Sequence, residues 1–109
     1  MSVRTVNSVT RAGLSEAGLF SAADVAGDLI PNDGNVWAEF INASGGAITA
    51  TIHALIDGVL TAVRTFSIPA TTGRVKVGRF PTSWNNSSGQ IAITYSAVTS
   101  LTMAAFTMP

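Results

Sequence analysis

The chain has 109 residues, 47% of them hydrophobic and only 11% charged, with six acids against six bases. That is one domain's worth of protein, able to bury roughly two-thirds of its unfolded surface around one modest core. Zero net charge excludes nucleic-acid recognition through a basic surface, the apolar content excludes a disordered body, and the lack of cysteine excludes a disulfide framework or a thiolate zinc site.

Residues 1–34 read as an N-terminal arm. Val3, Asn7 and Val9 alternate with Arg4, Ser8 and Thr10, which permits a short extended stretch. Residues 13–27 hold enough helix formers to predict a brief helix, although Gly13, Gly18 and Gly27 weaken it. The arm carries no secretory-signal pattern, and no run in the chain approaches the roughly 18–20 apolar residues of a membrane span.

Residues 35–109 read as consecutive strands. Pro31-Asn32-Asp33-Gly34 is a turn, because proline sets one φ and glycine accepts a positive one. Residues 35–43 then alternate, with Val36, Ala38 and Phe40 on one face and Trp37, Glu39 and Ile41 on the other. Ser44-Gly45-Gly46 breaks the strand. In residues 47–56, Ile48, Ala50, Ile52, Ala54 and Ile56 face one way and Thr49, Thr51 and His53 the other, a period of two that marks a half-buried strand. Asp57-Gly58 suits a two-residue hairpin turn. The return strand, 59–68, slips phase near Val63 and Arg64, which predicts a bulge. Strands over 74–80, 90–96 and 101–108 follow, separated by a connection at 69–73 and a polar loop at 81–89 holding Trp84. Strands at this spacing, with no helices between them, predict an all-β fold. The expected architecture is an antiparallel β-sandwich, jelly-roll or immunoglobulin-like, of about six to eight strands.

The residues that could carry chemistry are sparse. His53 is the single histidine, and it projects away from the predicted core with no oriented serine or acid beside it. Asp28, Asn32 and Asp33 supply oxygens but lack the spacing of a calcium loop, and Asn32-Asp33-Gly34-Asn35 is better read as turn chemistry. No enzyme activity, cofactor or metal is expected. Trp37, Trp84 and Tyr95 leave open a carbohydrate- or cell-surface-binding sandwich, although lone aromatics more often anchor cores and interfaces.

Charge distribution favours contact with other copies or another protein. Residues 1–57 carry −4, from two bases and six acids, and residues 58–109 carry +4, from four bases and no acid. Either the fold mixes these charges within one subunit, or an acidic patch of one copy meets a basic patch of the next. A charge-poor surface rich in Ala, Thr and Ser suits permanent association.

Asn32-Asp33-Gly34-Asn35, then Asn42-Ala43-Ser44-Gly45-Gly46 and Ile48-Thr49-Ala50-Thr51-Ile52, form a turn-and-strand pattern. With Ile68-Pro69-Ala70, Val77 to Pro81, Trp84-Asn85-Asn86 and Gly89 to Ser96, it resembles small virion proteins of tailed bacteriophages over residues 31–106. The group it looks like is the capsid decoration, or cement, proteins; similar sandwiches also serve as head–tail connector and tail proteins. The resemblance implies a non-enzymatic structural protein on the virion surface. It would bind the major capsid protein outside the head and associate with itself, for instance as a homotrimer, without contacting nucleic acid or membrane. Under this reading Arg4 and Arg11 would anchor the arm on the shell and Leu19 and Phe20 would be its apolar plug, with Arg79 and Trp84 as further partner contacts.

Overall fold

The computed structural model describes residues 1–16 and 18–108, and in them the chain is all-β. Ten strands lie in chain order: β1 (Ser2–Val3), β2 (Val6–Ser8), β3 (Ser21–Ala22), β4 (Asp28–Pro31), β5 (Val36–Asn42), β6 (Ile48–Ile56), β7 (Val59–Ile68), β8 (Gly73–Gly78), β9 (Gln90–Tyr95) and β10 (Leu101–Thr107). A 3₁₀ turn, Thr82–Trp84, lies between β8 and β9. The strands form two sheets, A in the order β1-β4-β9-β6-β7 and B in the order β2-β10-β5-β8, with β3 also on β10.

The inward side chains follow from the alternation of each strand. Ile48, Ala50 and Ile52 of β6, Ile91 and Ile93 of β9, Val36, Ala38 and Phe40 of β5, and Leu101, Met103 and Ala105 of β10 make one core between the sheets. Phe40 sits at its centre, 5.6 Å from the Phe66 ring and 6.0 Å from the Tyr95 ring. The phase slip in β7 is a real irregularity: Ile52 pairs with Arg64 while His53 pairs with Ala62, leaving Val63 as the extra residue.

Three expectations are corrected. Residues 1–34 are not a separate arm, since they supply β1 to β4 and complete both sheets. Val3 pairs with Leu29 in sheet A, and Asn7 pairs with Phe106 in sheet B, so one extended segment ties the two layers along one side. β4 is a core strand, with Ile30 fully buried beside β9. The described part of 13–27 forms turns and β3 rather than a helix, because Gly13, Gly18 and Gly27 all take positive φ. The sandwich is also mixed rather than wholly antiparallel: β1 runs parallel to β4, and β2 parallel to β10.

Buried polar groups brace the loops. Asn42 is fully buried; its amide donates to the carbonyls of Gly46 (2.9 Å) and Ile68 (3.1 Å), and its oxygen accepts from the Ser44 N–H and hydroxyl. Asn32 donates to the Phe80 carbonyl (3.1 Å) and to Asn85 Oδ1 (2.8 Å), while its oxygen caps the Gly34 N–H.

Candidate partner-binding surface

The outer faces of the two sheets differ. On sheet B the chain covers its own surface. The Phe20 ring lies 6.3 Å from Phe106, which stacks on Trp37 at 5.7 Å, and Arg74 lies over Phe20 at 5.8 Å. Beneath this cover, Glu39 is buried and accepts from Arg74 Nη2 at 2.5 Å, with Lys76 Nζ at 3.7 Å. The β8 cations are thereby committed within the subunit.

Sheet A leaves its outer face open along β6 and β7. Strand pairing sets Thr49 beside Ser67, Thr51 between Thr65 and Thr94, and His53 between Ala62 and Ala92. The face carries no Asp, Glu, Lys or Arg at these positions. His53 points outward, as its alternation predicts, and its Nε2 lies 2.9 Å from Thr94 Oγ1. Uncharged hydroxyls and methyls lose less on dehydration than charges do, so such a face is suited to burial against a partner.

Along β6 this face runs onto an apolar tip. β9 pairs with β6 only over Ala50–His53, so the far end of the β6–β7 hairpin overhangs the sheet. Leu55 opposes Leu60 on the outer face, and Ile56 opposes Val59 on the inner one. All four are exposed, Val59 by 64%. The turn itself has Asp57 at φ 51° and Gly58 at φ 78°, the paired positive angles that a two-residue hairpin needs.

The side chains singled out in the sequence fall in four places. Arg79 and Trp84 come together in a cleft of about 350 Å³ beside β7, where the Arg64 guanidinium lies 5.9 Å from the Trp84 ring centroid. Phe66 and Val77 line the same cleft, and Arg79 donates to Asn35 Oδ1 at 2.6 Å. Arg4 is drawn inward instead. Its Nε donates to the fully buried Asp28 carboxylate at 2.7 Å, and its other nitrogens bind the Ser21 hydroxyl and the Ala22 carbonyl. Tyr95 donates to the same carboxylate at 2.6 Å, and burial with this hydrogen bond pushes the Tyr95 phenol well above its ordinary value. Phe20 plugs its own sheet, and Leu19 lines a cavity of about 470 Å³ with Arg4. Arg11 is exposed near Val9 and Met108.

The alternation in the sequence sets Thr49 and Thr51 outward but does not mark them as a surface, and the exposed tip is not among the sequence-predicted contacts. The available signal was the run Ala54-Leu55-Ile56 before the turn and Val59-Leu60 after it, apolar on both faces where a half-buried strand would alternate. Comparison with protein-family models, with curated proteins and with solved structures finds no match to this chain.

Proposed function

We propose that this chain is a structural virion protein that decorates the outside of a tailed-phage head, binding the major capsid protein and reinforcing contacts between its subunits. The observation that carries the reading is the open, uncharged outer face of sheet A, on a sandwich only 19 Å across its thinnest direction. A thin, rigid plate with one face covered by its own chain and the other bare is suited to lying flat on a larger assembly. Many such plates on one shell act together, so each contact need only be weak. The resemblance of residues 31–106 to decoration proteins points the same way.

Co-sedimentation with purified tailed-phage heads tests this. The intact chain should bind in many copies, and Thr49→Lys with Thr51→Lys, which places two charges on the face, should abolish binding while circular dichroism stays unchanged. Thr10→Lys, exposed elsewhere, should bind as the unaltered chain does. Equal binding by the face variant would refute the role given to that face.

The cleft of Arg64, Arg79 and Trp84 favours one second reading, a carbohydrate-binding sandwich in which Trp84 is the stacking platform. Glycan-array binding lost in Trp84→Ala would support it over the shell reading.

A further inference from the structure

We propose that two copies of this chain pair antiparallel along their β7 edges, about a two-fold axis at Thr61, with Asp57 at each hairpin tip meeting Arg64 of the other copy. Among the described residues β7 closes sheet A and pairs with β6 alone, so its other edge presents unpaired backbone groups. Edges of this kind are normally blunted by proline, charges, a bulge or a covering loop. β7 contains no proline and one charge, Arg64. Its bulge, at Val63, blunts the edge beyond that point and leaves Val59–Ala62 as the regular stretch open to pairing.

The side chains choose the register. Leu60 and Ala62 lie on the outer face, opposite Leu55 and His53, while Val59 lies on the inner face opposite Ile56. An axis at Thr61 sets Leu60 beside the second copy's Ala62, matching outer with outer, and brings Val59 to its bulge at Val63. A slip of one residue would oppose outer to inner side chains. The two-residue turn makes Ile56 and Val59 a hydrogen-bonded pair, so the amides of Leu60 and Ala62 point to the free edge and can bond across the axis.

Charge complementarity identifies the occupant as a second copy. The same register lays the Asp57-Gly58 turn alongside Arg64 and Thr65 of the other chain, twice by symmetry. Asp57 and Arg64 are both exposed, and among the described residues neither is in an ion pair. Arg74 and Lys76 are already held by Glu39 and Arg79 by Asn35, while Arg64 lies over the Trp84 ring with no carboxylate partner among the described residues. The exposed apolar tip residues gain cover in the same contact. Pairing would also join two outer faces of sheet A into one continuous uncharged surface, but it does not depend on any shell being present.

Sedimentation velocity on the intact chain in solution, without heads, tests the pairing. The unaltered chain should shift from one-chain to two-chain mass as concentration rises. Asp57→Asn keeps the Asn-Gly turn preference and should weaken the dimer roughly tenfold, from two lost ion pairs. Arg64→Glu should weaken it further, by setting glutamate against Asp57. Adding Asp57→Asn to Arg64→Glu should then strengthen association relative to Arg64→Glu alone, a reversal of sign that a merely structural role would not produce. Leu60 and Ala62 amides should gain hydrogen-exchange protection with concentration. A one-chain mass at every concentration, masses beyond two chains, or no reversal in the double variant would overturn the proposal, whatever the outcome with phage heads.

Discussion

Asp28 shows how one residue decides the fate of another. A fully buried carboxylate needs a partner, and Arg4 supplies it from 24 residues away, with the Tyr95 hydroxyl completing the shell. Breaking such a pair from one side leaves a charge buried and uncompensated, so Arg4→Met should destabilise the chain by roughly 3–5 kcal/mol. Arg11→Met, at an exposed position, should stay within about 0.5 kcal/mol. Urea unfolding of the two variants checks both values. Tyr95 adds a pH dependence whose sign is fixed. Its folded phenol titrates above its unfolded value, where the ordinary pKa is about 10. The unfolded chain therefore releases that proton first as pH rises, and stability present below about pH 10 is lost above it. Tyr95 is the single tyrosine, so tyrosinate absorbance in an alkaline titration should appear together with loss of the sheet signal rather than before it. None of this was legible from sequence: six acids precede residue 58, and nothing local to Arg4 says which of them the fold delivers to it.

At the scale of elements, legibility tracked length. β5, β6, β8 and β9 were readable because six to nine residues are enough to show a period of two, and the bulge in β7 was readable as a break in that period. β1, β2 and β3 have two or three residues each and cannot show a period, so their long-range parallel or edge pairings were invisible and the segment looked like an arm. The consequence is testable. Deleting residues 2–12 removes β1, β2 and Arg4 together, and the product should fail to fold, as seen by loss of cooperative thermal unfolding. The asparagine-glycine turns were legible as turns, and their role proves to be bracing: Asn32 and Asn42 satisfy carbonyls from distant loops. Glycine positions divide the same way. A Cβ on Gly73 would sit 2.0 Å from the Pro69 carbonyl oxygen, whereas one on Gly46 would meet nothing within 4 Å. Gly73→Ala should cost about 1–3 kcal/mol or more, and Gly46→Ala almost nothing, by denaturant midpoint.

Taken whole, the molecule resolves only part of its charge asymmetry inside the subunit. Arg4 meets Asp28, and Arg74 and Lys76 meet Glu39, which leaves sheet A with a bare outer face and an apolar hairpin beyond it. Composition alone announced a surface poor in charge; which face would carry it depended on the N-terminal segment draping over sheet B, a tertiary event with no local signature. The proposed role rests on association through the open face. Electron cryomicroscopy of heads carrying the intact chain tests it most directly. Density for the sandwich should lie flat, with Thr49, Thr51 and Thr94 against the capsid surface and Phe20 turned toward solvent. Heads that bind the chain through its sheet B side, or that carry no such density after saturation, would contradict it.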